Sequence, residues 1–203
     1  MAQHCKTRCI HFKRKDFSIE IESTDDLQQK FSDRLATDFS GRTIDLGAML
    51  GMNIDSEIFP GELVTVIGRT GSNKSTFVQN LALGVDFAND TINPEWHIPT
   101  LFLSLELADW YMHRRGLQIV SGLSKAHIKF QTVSPTIAQI AAKVKELQPA
   151  LVIVDYIDLI DTGRHGRSEH EKIKHISHSL SNMAVNMDLI IIQVSQVGRE
   201  HSQ

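Results

Sequence analysis

From Glu62 onward, short runs that are apolar almost throughout alternate with longer runs of helical period, and few folds accept that alternation. The apolar runs are ELVTVIG (62–68), TLFLSLE (100–106), IKFQTVS (128–134), ALVIVDY (150–156) and LIIIQVS (189–195). Strands of this kind have no wet face, so both sides of their sheet must be covered. The intervening KSTFVQNLALGVDFA (74–88), ADWYMHRRGLQIVSG (108–122), TIAQIAAKVKELQ (136–148) and EHEKIKHISHSLSNMAVNM (169–187) read as the covering helices. The expected class is α/β, with a mostly parallel central sheet and helices on both faces.

The stretch 68–75, GRTGSNKS, follows the first of these strands and opens the first helix. It nearly matches the phosphate-loop pattern G-x-x-x-x-G-K-[ST]. Successive backbone N–H groups over residues 69–75 would form an anion nest at a helix N-terminus, where the dipole favours negative charge. Gly68, Arg69, Thr70, Gly71, Ser72, Asn73, Lys74, Ser75 and Thr76 are the expected nucleotide contacts. Lys74 would neutralise the β/γ-phosphates, and the Ser75 hydroxyl would ligate Mg²⁺. Asn73 stands where the pattern has glycine. If the requirement is positive φ, Asn is the least costly replacement, because it visits the left-handed region more readily than most residues. Its side chain would still stand close to a phosphate oxygen.

Two carboxylates end other strands. Asp155 follows four apolar residues and is placed to hold Mg²⁺ through water; capping the next helix is the simpler role for such a residue. Glu106 closes TLFLSLE and is placed to orient or deprotonate an attacking water. Ligands of open α/β sheets bind at these carboxyl ends. The order loop, Glu, Asp therefore points to ATP with Mg²⁺.

At this point the chain resembles the ATPase domain of DnaB-type replicative DNA helicases, within the RecA-like P-loop superfamily. The resemblance runs from about Phe59 to Arg199 and rests on PGELVTVIGRTGSNKSTF, FLSLEL, VIVDYIDLI, ISHSLSNMA and IIIQVSQVGRE. SLE after the second strand and Asp-Tyr-x-x-Leu after the fourth favour this branch over recombinases and circadian-clock ATPases. The resemblance implies an ATP-hydrolysing DNA helicase of DNA replication, with Glu106 as catalytic base, Asp155 as the Mg²⁺-site acid and Gln196 as the sensor of the γ-phosphate. It also implies single-stranded DNA as partner and a homo-oligomeric ring, a hexamer, joined through the amphipathic helix at 24–36. That helix opens with a capping-box pattern from Ser23 to Asp26 and lines up Leu27, Phe31 and Leu35; packing on its own domain is the other reading. Arg164, His165 and Arg167 lie in a Gly-containing loop that resembles the channel loops of ring helicases, and a solvated surface loop has the same composition.

The departures from the family are Asn73, Ser181 where many members have lysine, and the end of the chain at Gln203. Members continue through strands carrying an arginine finger, a role not assigned to Arg199, and have a separate N-terminal domain. The expected organisation is a basic segment at 1–22 with a possible hairpin, a linker helix and lead-in at 23–60, and a core at 61–203 truncated at its C-terminus. A non-catalytic regulator or loader that docks on a helicase ring is the alternative, favoured by Asn73 and the shortened core.

Net charge is −3, so any nucleic-acid site must be local. No apolar run is long enough to span a bilayer, and no secretion signal opens the chain, which points to the cytoplasm. HCKTRCIH (4–11) carries four zinc-type donors at tighter than finger spacing and reads more simply as a basic start.

Overall fold

The computed structural model describes residues 23–36, 42–54, 56–89, 91–93, 96–119, 128–132, 136–163 and 168–196. The chain divides into two units, 1–38 and 39–203. In the first, helix α1 (Thr24–Ala36) begins at the expected capping box: Asp26 N donates to Ser23 Oγ at 3.1 Å, and Ser23 N donates back to Asp26 Oδ2 at 3.1 Å. The proposed hairpin and the zinc-type donors lie outside the described residues.

The second unit runs β1 (Ile44–Asp45), α2 (Leu46–Leu50), β2 (Glu57–Ile58), β3 (Leu63–Gly68), α3 (Lys74–Ala82), β4 (Val85–Asp86), β5 (Thr91–Ile92), β6 (Thr100–Ser104), α4 (Asp109–Ile119), β7 (Ile128–Thr132), α5 (Ile137–Leu147), β8 (Leu151–Asp155), α6 (Glu169–Met187) and β9 (Ile190–Gln196). Five of these strands form one sheet in the order β3-β9-β8-β6-β7, and every pairing in it is parallel.

Alternate residues of β6, β8 and β9 feed opposite cores. Phe102, Leu151, Ile153, Ile190, Ile192 and Val194 meet Val78 and Leu81 of α3 and Met112 of α4. Leu101, Leu103, Val152, Val154 and Ile191 meet Ile140 and Val144 of α5 and Ile176, Leu180 and Met183 of α6. This two-sided burial is why the strands lack a polar period. Capping boxes open α5 at Thr136 and α6 at Ser168, and left-handed Gln148 and Asp188 close them.

Two details differ from the sequence reading. The helix expected over 74–88 stops at Ala82, because Gly84 turns at φ +71 and Val85 starts a short strand paired with Ile92. Gly84 also has no room for a side chain: an added Cβ would lie 2.2 Å from the Trp96 ring, whose Nε1 donates to Ala82 O at 3.0 Å. The lead-in, in turn, has its own structure. β1 pairs antiparallel with β2, and Arg42 donates to Asp188 Oδ2 at 3.0 Å, tying the lead-in to the α6–β9 turn.

The two-sided core makes a direct test possible. Ile153→Ala, in the central strand, should cost about 2–5 kcal/mol of unfolding free energy in urea titrations. Val185→Ala, on the 64% exposed side of α6, should cost less than about 0.5 kcal/mol.

Candidate functional site

The parallel register brings the C-terminal ends of four strands to one edge. Gly68 of β3 pairs with Gln196 of β9, Asp155 of β8 with Val194 of β9, and Ser104 of β6 with Asp155. Residues 68–76 lie over this edge.

The loop conformation answers the question posed by Asn73. Its backbone is left-handed, at φ 60 and ψ 24, and its side chain makes no capping hydrogen bond. The position demands positive φ, which asparagine supplies at low cost. Gly71 is at φ +80, and a Cβ on Gly68 would meet Ser72 Oγ at 2.7 Å, so both glycines serve the turn. The first helical bond of α3 runs from Phe77 N to Asn73 O at 2.9 Å. The amides of Lys74, Ser75 and Thr76 therefore precede the intrahelical ladder, and they point out of the helix end with its positive dipole. Lys74 folds back over the loop, donating from Nζ to Gly68 O at 2.9 Å and to Arg69 O at 2.8 Å. A cleft of about 510 Å³ beside the loop is lined by Gly68, Ser72, Asn73, Lys74, Thr76, Phe77 and neighbours. A larger one, about 680 Å³, opens at the opposite ends of the strands around Arg42, Lys145 and Asp188 and contains none of the expected site residues.

Asp155 is 4% exposed, and its Oδ1 has no hydrogen-bond partner. Burial is the largest influence on its carboxyl and pushes it above the ordinary carboxylate range. A hydrogen bond with Ser75 opposes that shift, the charge of Glu106 adds to it, and the cations Lys74 and Arg115 oppose it. The hydroxyl of Tyr156 is likewise raised, by burial and then by Glu106, Asp158 and Asp155. Ser75, Lys74, Glu106 and Asp155 thus share one neighbourhood. A buried carboxylate with one unpartnered oxygen beside a serine hydroxyl fits a magnesium ion, which takes one or two protein oxygens and fills its remaining positions with phosphate and water. Among the described residues there is no cluster of three or more His, Cys, Asp or Glu side chains of the kind that holds a metal alone.

Glu106 is exposed on the turn after β6. That turn is held by Ser104, which donates from Oγ to Leu107 O at 2.7 Å and accepts from Leu107 N at 3.1 Å. It is also held by Leu105 N, which donates to Asp155 O at 2.8 Å. Gln196 lies across from the loop, its Oε1 accepting from Thr70 Oγ1 at 3.4 Å and its backbone N donating to Asp158 Oδ2 at 3.4 Å. Arg164, His165 and Arg167 lie outside the described residues. The sequence reading missed Ser104, Asp158 and Arg115. The first two sit inside the quoted SLE and DYIDL stretches, whereas nothing in HRR distinguishes Arg115 from Arg114.

A parallel five-stranded sheet with a glycine-containing loop after its first strand and acids at the ends of two others is the RecA-like fold. Solved structures support that class. One ATPase domain matches with a TM-score of 0.64 at 16% identity, covering 89% of this chain and 73% of its own. A KaiC-like protein of Pyrococcus horikoshii OT3 matches with a TM-score of 0.50 at 18% identity, over 71% of this chain and 65% of its own.

Within the class, the chain resembles the DnaB-like helicase C terminal domain, whose family model matches residues 121–203. It is also 24% identical over 176 residues to the replicative DNA helicase DnaB of Leifsonia xyli subsp. xyli (strain CTCB07), a match covering 72% of this chain. The chain spans 37% of that relative's length. A DnaB-like replicative helicase, solved in a study of its interactions with primase, matches with a TM-score of 0.54 at 18% identity over 70% of this chain and 40% of its own. Among the described residues no helix is long and apolar enough to cross a membrane.

Two outcomes follow from the site geometry. Asn73→Gly should leave stability nearly unchanged, while Asn73→Val, β-branched at positive φ, should lose about 1–2 kcal/mol in thermal or urea unfolding. Asp155 binds its proton more tightly folded than unfolded. Its cost to stability is therefore complete above the raised folded-state value, is relieved as pH falls from there, and vanishes below the ordinary 3.8. Asp155→Asn should accordingly be at least as stable as wild type at neutral pH, with the difference shrinking as the solution is acidified.

Proposed function

We propose that this chain is the ATP-binding and ATP-hydrolysing core of a replicative DNA helicase that works as a ring in DNA replication. The observation that carries the reading is Asp155: buried, one oxygen unpartnered, and placed beside Ser75, Lys74 and Glu106 at the carboxyl edge of the sheet. Buried carboxylate oxygens are mostly hydrogen-bonded, so an unpartnered one at this edge supports a ligand-holding role.

In this reading ATP is the substrate, held at residues 68–76. The nest of loop amides and the α3 N-terminus take its phosphates, with Lys74 released from the Gly68 and Arg69 carbonyls to neutralise them. Ser75 and Asp155 hold the magnesium ion, which when bound neutralises charge on the phosphate oxygens. Glu106, exposed on its braced turn, accepts the proton of the attacking water. Gln196, beside Thr70, senses the terminal phosphate and relays the nucleotide state to the channel loops that contact DNA. The arginine finger, a role assigned to no residue of this chain, comes from the neighbouring subunit of the ring, so hydrolysis depends on assembly. We assign α1, residues 24–36, to docking on that neighbour in a six-membered ring, and Arg164, His165 and Arg167 to the backbone of single-stranded DNA. Such a contact would weaken steeply with salt.

Calorimetric titration of a non-hydrolysable ATP analogue with Mg²⁺ tests the reading without requiring the ring. Wild type should bind, Lys74→Ala should bind at least about tenfold more weakly through loss of charged hydrogen bonds, and Asn73→Gly should match wild type. Binding by Asn73→Gly alone would overturn the ATPase reading and leave a regulator that docks on a helicase.

A further inference from the structure

Helices α3 and α4 pack side by side on one face of the sheet and are joined by two polar contacts. Gln79, wholly buried, donates from Nε2 to Met112 O at 2.7 Å. One turn towards the phosphate loop on α3, and one turn onward along α4, Arg115 donates from Nη2 to Thr76 Oγ1. Thr76 and Gln79 are three residues apart on α3, as Met112 and Arg115 are on α4, so the two contacts lie on the facing sides of the helices. Arg115 is partly buried, whereas Arg114 is exposed.

Both helices start at the site. α3 begins at Lys74, directly after the loop. α4 begins at Asp109, three residues after Glu106, and its first turn is anchored by Tyr111 N and Met112 N on Ala108 O. A helix is stiff over two turns, so fixing α4 at Arg115 fixes the turn that carries Glu106. The charge of Arg115 also reaches Asp155, where it favours the ionised carboxylate.

We propose that Arg115 is a positioning residue that pins the helix after Glu106 to the first turn of the phosphate-loop helix, so that loop, acid and Glu106 keep one spacing. The inference rests on the ATPase reading for its purpose, but the pin itself is a property of the protein without nucleotide.

Hydrogen–deuterium exchange on the nucleotide-free chain, followed by titration with the Mg²⁺–ATP analogue, separates the two. Arg115→Ala should raise exchange about tenfold at the Phe77 amide, which opens the α3 ladder, and over residues 105–112 while leaving β8 unchanged, the loss expected for a hydrogen bond from a charged donor. Thr76→Val, which keeps the shape and removes the acceptor, should do the same, and the double variant should add nothing further. Arg115→Lys should restore part of the protection, since it keeps the charge without the fork. Analogue affinity should fall in step with the loosening. Unchanged exchange at Phe77 and over residues 105–112, or a rise shared equally by β8, would overturn the pin. Local loosening in a protein whose wild type binds no nucleotide would sustain the pin and instead remove the ATPase reading.

Discussion

The central strand β8 is buried on both faces, and much of the molecule follows from that. Residues 151–154 are completely enclosed, alternating between the two cores. A strand so placed can change character only at its end, and there the chain turns polar at Asp155. The parallel register then decides what the acid meets, because the ends of β3, β6 and β9 arrive at the same edge. Taking a carboxylate to that depth is unfavourable, and burial raises the affinity of Asp155 for its proton. The neighbouring hydroxyl and cations offset it only in part.

Much of this was legible in the residues. Wholly apolar runs separated by helical periods admit few architectures, and the five runs at 62–68, 100–106, 128–134, 150–156 and 189–195 all became strands of one parallel sheet. The fold as a whole, and its likeness to DnaB-like ATPase domains, follows from the same runs and from the motifs at their ends. Asn73 was legible as well, since the only inexpensive reason for asparagine there is a left-handed backbone, and its φ is 60.

What escaped was set by contacts distant in sequence. Gly84 ends α3 in a left-handed turn, and Trp96 crosses that turn, a meeting of residues twelve apart that no helical period signals. Arg115 became visible only when α4 was laid against α3, since its partner Thr76 lies 39 residues earlier. Ser104 looked like the polar end of a strand, yet its hydroxyl closes the turn below Glu106 through both groups of Leu107. In each case the residue type was unremarkable, and only its neighbours across the fold gave it a role.

The crossing of Trp96 over Gly84 gives the protein an optical reporter of its own. Of its two tryptophans, Trp110 is 65% exposed, whereas Trp96 is half-buried and bonded to the last turn of the helix that begins with Lys74. A ligand that tightens or tilts that helix changes the surroundings of the Trp96 indole. The emission of the unmodified chain therefore carries a signal from the far end of the phosphate-loop helix.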